Sequence, residues 1–379
     1  MRRELLTPRT DWQQRVEEVG LEFHTQDGVP YWAEDRCYAF TADEIDGLEA
    51  ATNELHDLCL QAADQIVRRN WHAKLGIPEW AVGYVSTVWE RGDPTFVGRF
   101  DLAYDGSGPP KLLEYNADTP TSLVEAAVAQ WFWLNDVKPG ADQFNSIHER
   151  LIAAWKALAP HVAQSGMVHF ASQHESTEDR ITADYLRDTC QQAGIATAPL
   201  DVSQIGWNGS RFTDLEERPI QAMFKLYPWE WMLADEFGRH AVTDTTGFIE
   251  PAWKMLLSNK AILPILWELF PDHPHLLPAY FTPERLAGKY VRKPFLSREG
   301  LNVAIVSGSN SVATQGPYDE KQSIYQAIAP LAHNDGHYAV LGSWVIAGES
   351  AGIGIREDTS AVTGNLSRFV PHYFTASKS

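Results

Sequence analysis

Thr95–Glu125, TFVGRFDLAYDGSGPPKLLEYNADTPTSLVE, is the stretch on which the reading of this chain turns. Phe96 to Tyr104 alternates as a strand does, Asp105-Gly-Ser-Gly-Pro-Pro110 is a cluster of turn formers, and Lys111 to Tyr115 is a second short strand. The expectation is an antiparallel hairpin. If Tyr104 pairs with Lys111, Asp101 faces Glu114 and Arg99 faces Asn116, and the period-two alternation puts all four on one side. Facing carboxylates repel unless a cation lies between them, which leaves two readings. Arg99 could bridge the acids on a solvated face, or the acids and the Asn116 amide could form a hard oxygen set of the kind that takes Mg²⁺ together with substrate phosphates. Beyond the hairpin, Ser122 and Glu125 fit a capping box that opens a helix over Leu123 to Leu134.

Composition sets the frame. With 379 residues, 44% hydrophobic and 14 Trp, the chain can bury a large core. The N-terminus lacks an apolar signal-like run, and Met255 to Phe270 is interrupted by Lys260, Pro264 and Glu268, so neither a signal peptide nor a membrane span is expected. Cys37, Cys59 and Cys190 are widely spaced and read as core thiols in a reducing, cytoplasmic setting. A net charge of −19 without a basic run argues against nucleic acid or an anionic membrane as partner, and is compatible with a cationic substrate such as a polyamine.

Along the chain, Thr41-x-x-Glu44 opens a helix to Asn70, and Asn145 to Leu158 is a further helix. Met167–Ala171, Ser176–Ala193 and Ile195–Val202 form a βαβ unit, Asn208-Gly209 marks a hairpin, and Ile220 to Tyr227 is a strand. A helical stretch covers Phe248 to Phe270, Tyr290 to Phe295 is a strand leading into the loop Ser297-Arg-Glu-Gly300, and His337 to Glu357 is β-rich. The fold expected is mixed α/β.

Lys225, Lys260 and Lys293 all sit in apolar surroundings, where lysine is scarce unless it meets an anion or reaches out to water. Three such lysines, a lid-like loop and an acidic hairpin point to a nucleotide gripped by ammonium groups and metal. Neither GxxxxGK[ST] nor GxGxxG is present. A glycosidase using Asp101 and Glu114 would leave the three lysines unexplained.

VGRFD with LLEYNAD, FKLYPWEW, LSNKAILPILWELFP, YVRKPFLSREG, IYQAIAPL, GSWVIAGESAGIGIRED and SRFVPH together resemble the ATP-grasp ligases related to glutathionylspermidine synthase, from about Tyr84 to Tyr373. The resemblance implies an ATP-grasp fold with a pre-ATP-grasp, Rossmann-like subdomain at 162–222, a nucleotide lobe and lid at 223–345, and 84–135 with 346–373 completing the site, all in one interlocked unit. It implies that Asp101, Glu114 and Asn116 bind two Mg²⁺, and that Lys225, Lys260, Lys293, Ser297, Gly300 and Gln326 contact ATP or form its lid. Arg99 and Arg356 would hold the acid and the transferring phosphoryl group. The metal residues precede the lysines, which is the order of the permuted, glutathione-synthetase-like branch. The activity implied is ATP- and Mg²⁺-dependent amide formation through an acyl phosphate, the alternative being a nucleotide-binding module without turnover. Where glutathione-using relatives carry serines, this chain has Thr119-Pro-Thr121, which leaves the acid open to another peptide or amino acid. Thr119 and Thr121 are the acid-side candidates. Glu175, Glu178 and Asp179 form a cluster that could attract the amine, with Glu175 and Glu178 the candidates for it, or else belongs to a solvated helix start.

Overall fold

A computed structural model describes residues 1–26, 28–162, 166–243 and 245–375. Thr41 starts the longest helix, Ala42–Arg68: its hydroxyl accepts from the Glu44 backbone N–H while the Glu44 carboxylate turns back to the Thr41 N–H, closing the expected capping box. Ile45, Leu48, Leu55, Cys59, Ala62 and Ile66 recur on one face and are buried against the main sheet and the helix Ile262–Leu269. His56 and His72 are core polar residues of this region.

Three sheets meet around the site. The largest is antiparallel and runs Arg368–Val370, Glu349–Asp358, His337–Ile346, Val97–Ala103, Lys111–Asn116, with Ala332–Asn334 paired to His337–Ile346. A second antiparallel sheet is ordered Ala279–Tyr280, Ser323–Gln326, Lys289–Pro294, Ala304–Ser307, Asn310–Ala313. The third is parallel and ordered Gly247–Ile249, Ala222–Leu226, Val168–Ser172, Thr197–Asp201. Here Val168–Ser172 passes through the helix Thr177–Gln192 to Thr197–Asp201 on one side, and the chain then returns to add Ala222–Leu226 on the other. Such a reversal of strand order opens a crevice at the carboxyl ends of the two central strands. The segments leaving those ends, 173–179 and 227–231, both reach the cleft. Near the N-terminus, Arg2–Leu5 and Arg36–Thr41 make a small sheet with His372–Thr375.

Three local expectations need correction. The hairpin carries a bulge after Asp101, so Lys111 faces Ala103 and not Tyr104, while Asp101↔Glu114 and Arg99↔Asn116 hold as read. Ser122 and Glu125 form no capping box: Ser122 has φ +65°, a π-helical turn spans Glu125–Ala129, and the buried Glu125 carboxylate accepts from Tyr31 Oη at 2.6 Å. The stretch from 248 begins in a strand, and Lys260 lies between the short helices Met255–Ser258 and Ile262–Leu269.

Candidate active site

Pairing of Val97–Ala103 with Lys111–Asn116 puts Arg99, Asp101, Glu114 and Asn116 on one face. On the neighbouring strand Gly342 lies opposite Asp101, and a Cβ there would stand 2.8 Å from Arg99 Cδ. Glycine at that point lets the Arg99 side chain lie across the sheet. Its Nε donates to Asp101 Oδ1 at 2.9 Å and its Nη1 to the Thr121 carbonyl at 2.6 Å. Arg99 therefore takes one acid and leaves the other to Lys260, whose Nζ is 3.0 Å from Glu114 Oε2. Asn116 Nδ2 donates to Glu114 Oε1 at 3.2 Å, and Arg356 stands 4.0 Å from the second oxygen of Asp101. From the second sheet Lys293 Nζ donates to the Leu113 carbonyl and to Gln326 Oε1, both at 2.8 Å.

These groups shift one another's protonation. Burial works to raise the Glu114 pKa, but Lys260 and Lys293 outweigh it and hold the carboxyl well below its usual range. Burial lowers Lys293 to about 8, against the pull of Glu114. The Lys260 ammonium thus rests on Glu114 and the Ser297 carbonyl, and that of Lys293 on the Leu113 carbonyl and Gln326.

The hairpin face forms one wall of a cavity of about 640 Å³, a volume suited to a nucleotide-sized ligand. Val291, Val303, Ile305, Ile328 and Leu331 give it an apolar side, Arg99, Lys260, Lys293 and Arg356 stand around the acids, and Arg298 also lines it. Its far end is acidic. Glu178, Asp179 and Glu299 face in beside Thr119 and Thr121. Burial and the adjacent Glu178 raise Asp179 to about 6, and burial with Glu178 raises Glu299 as well. Behind them, burial and then Glu178 also push Glu125 upward.

Of the residues read from sequence, Arg99, Asp101, Glu114, Asn116, Thr119, Thr121, Glu178, Lys260, Lys293, Gly300 and Arg356 line this one cavity. Four do not. Lys225 points to the other side of its sheet, where its Nζ donates to Asp118 Oδ1 at 2.7 Å. Ser297 is buried with its hydroxyl on the Pro294 carbonyl, and it is its own carbonyl that meets Lys260. Gln326 sits behind the wall, between Lys293 and the Leu112 carbonyl. Glu175 is exposed at the approach to the helix that carries Glu178. Sequence reasoning singled out none of Asp118, Arg298, Glu299 and Trp231 as a site residue. All four stood inside quoted motifs, yet without the fold nothing separated them from their neighbours. Asp179, read from sequence together with Glu175 and Glu178, does line the cavity.

Among the described residues no three His, Cys, Asp or Glu side chains are placed to hold a metal by themselves. His273 and His275 both face Glu54, at 3.1 and 3.4 Å. No helix there is long and apolar enough to cross a membrane.

The glutathionylspermidine synthase pre-ATP-grasp family model matches residues 3–375. The chain belongs to the glutathionylspermidine synthase family. Relatives include a Haemophilus influenzae protein named as an acid–amine ligase, 44% identical over 97% of each chain. The trypanothione synthetase of Crithidia fasciculata is 30% identical over 83% of this chain and 53% of its own length. The bifunctional glutathionylspermidine synthetase/amidase of Escherichia coli is 30% identical over 88% of this chain and 58% of its own. This chain thus spans little more than half of the latter two. A γ-glutamylcysteine synthetase structure from Methylobacillus flagellatus gives a TM-score of 0.43 at 11% identity over 82% of this chain and 84% of that one, a likeness too slight to argue from. As a glutathionylspermidine synthase family member of mixed α/β fold, the chain is an ATP-dependent acid–amine ligase.

Proposed function

We propose that this ligase activates a carboxylic acid as its acyl phosphate at the hairpin face and couples it to a cationic amine held at the acidic end of the cleft. The observation that carries the reading is the meeting of Glu114 with Lys260, and of Asp101 with Arg99, on one wall of a nucleotide-sized cavity. Two carboxylates and an amide oxygen fit Mg²⁺, which binds few protein oxygens and completes its shell with phosphates and water. In this reading Asp101, Glu114 and Asn116 would hold the metal, two Mg²⁺ in all, which would supply positive charge beside the triphosphate.

Lys260 and Lys293, resting on Glu114 and its neighbours, are placed to turn to phosphate oxygens when ATP enters. Arg99 and Arg356 flank Asp101 and would orient the attacking carboxylate and spread the charge that builds on the phosphoryl group. The acyl phosphate is prone to hydrolysis, so the loop through Gly300 has to keep water out. The amine then attacks the acyl carbon, phosphate leaves, and an amide remains. Glu178 and Asp179, on the first turn of their helix, attract an amine carrying positive charge, as a polyamine does. In the same reading residues 162–222, of which 163–165 lie outside the described residues, form the pre-ATP-grasp part, 223–345 the nucleotide lobe and lid, and 84–135 with 346–373 the metal and substrate walls.

The test is incubation with Mg·ATP and pooled amino acids, short peptides and polyamines, followed by mass spectrometry for new amides and assay of ADP. The expected result is ADP only when acid and amine are both present, with a matching amide. Tight Mg·ATP binding without ADP on any pool would favour a nucleotide-binding module instead.

A further inference from the structure

Five residues close a ring beside the cleft. Arg298, in the loop after the Lys289–Pro294 strand, donates from Nη1 to Thr119 Oγ1 at 2.7 Å and from Nη2 to Glu230 Oε1 at 2.8 Å. Thr119 follows Asp118 and Glu230 follows Trp229, and these two are themselves joined: Asp118 Oδ2 accepts from the Trp229 backbone N–H at 2.8 Å. The two anchors of Arg298 are therefore tied to each other one residue back along each chain segment.

Asp118 is fully buried, a costly place for a carboxylate unless its charge is met. Lys225 meets it, with Nζ 2.7 Å from the second oxygen, a further bond to the Tyr227 carbonyl at 3.0 Å, and the Trp229 ring centroid 4.7 Å away. This accounts for a lysine in the apolar strand AMFKL that points away from the cleft. Its anion is Asp118.

We propose that Asp118, with Lys225 as counter-ion, is a positioning residue that holds Thr119 and Glu230 at the one separation a single guanidinium can span, and so fixes where the lid loop closes. A guanidinium presents its donors in a rigid planar fork, so it tolerates little change in the spacing of its two acceptors. If the Asp118–Trp229 bond is lost, the 117–121 loop and the start of the helix Trp229–Ala234 are free to part, and Arg298 keeps one anchor at most. The inference rests on the lid role given above to the loop through Gly300.

The test compares the full chain with two double variants in which neither charge is left unpaired. In Lys225→Met with Asp118→Asn, the amide oxygen still accepts from the Trp229 N–H. In Lys225→Met with Asp118→Ala, nothing does. Readouts are tryptic cleavage after Arg298, which requires the loop to open, the melting temperature, and affinity for AMP-PNP with Mg²⁺. The alanine variant is expected to be cut after Arg298 at least about tenfold faster than wild type, and the asparagine variant within about threefold of it. AMP-PNP affinity is expected to stay within about threefold in both. If the alanine variant does not fold, Asp118→Ser with Lys225→Met takes its place. Wild-type cleavage in the variant that lacks the tether overturns the inference. So does a tenfold loss of AMP-PNP affinity in the asparagine variant, which would put Lys225 on the nucleotide. If wild type is cut after Arg298 as fast with AMP-PNP bound as an unstructured peptide is, the loop is no lid, and both that role and this inference fall.

Discussion

Glu114 carries more of the site than any other side chain, because it alone meets two of the three lysines singled out in the sequence: its charge is felt by Lys260 and Lys293 together. Glu114→Gln should lower kcat/KM at least about 10²-fold, the scale of removing one electrostatic contact to a developing charge. It should also cost about 1–3 kcal/mol by chemical denaturation, since the lysines lose a buried partner while the site stays part-exposed. Unchanged turnover would remove Glu114 from the metal and phosphate chemistry. Asp179 gives a pH-dependent prediction. Its folded pKa is raised to about 6, so its negative charge is complete above that pH and is lost as pH falls through 6. KM for a cationic amine should therefore climb several-fold between pH 7 and 5.5. Asp179→Asn should show the low-pH KM already at pH 7. The sign for stability is the reverse of the usual carboxylate. The folded state holds this proton more tightly than the unfolded chain, so stability falls as pH rises from about 4 to about 6. Asp179→Asn should then melt higher than wild type at pH 7, by on the order of 1 kcal/mol after allowing for partial exposure, and lose that advantage near pH 4.

At the scale of elements, the hairpin was legible because alternation and a glycine–proline turn fix register with few alternatives, and Asp101 facing Glu114 followed from that alone. What alternation could not show was the bulge after Asp101, since an extra residue leaves the polar pattern of the site unaltered. The π-helical turn at Glu125–Ala129 was hidden for a related reason: Ser122 and Glu125 have capping spacing, but Glu125 is drawn into the interior by Tyr31, which lies 94 residues away. The long helix had no such competitor, and its capping box formed as read. Thr41→Ala should cost about 1 kcal/mol in denaturant unfolding without changing turnover. The lid loop carries a sharper test. Gly300 has φ +68°, and a Cβ there would come 2.4 Å from the Thr363 carbonyl, so any side chain pushes the lid off residues 362–363. Gly300→Ala should raise the ratio of ADP formed to amide formed at least several-fold, as water reaches the acyl phosphate, with a melting temperature close to wild type. A ratio of one to one in the variant would contradict the lid assignment.

At the scale of the whole molecule, three sheets from distant parts of the sequence each deliver one side of the cleft. The motifs that mark them were legible one at a time, and the resemblance supplied their order. The sequence could place Lys225 in an apolar strand, but which face of that strand it occupies depends on Ala222–Leu226 pairing with Val168–Ser172 and on Asp118 waiting beneath it, both long-range facts. Glu178 and Asp179 reach the cleft for the same kind of reason, because strand order reverses next to their helix. The account as a whole depends on a carboxylate being phosphorylated at the hairpin face before the amine attacks. This is tested most directly by supplying the acid found in the pooled screen with its carboxyl oxygens labelled with ¹⁸O, together with Mg·ATP, the amine and ordinary water, and weighing the phosphate released. The account predicts one ¹⁸O in each phosphate and the other in the amide; unlabelled phosphate released as fast as the amide forms would contradict it.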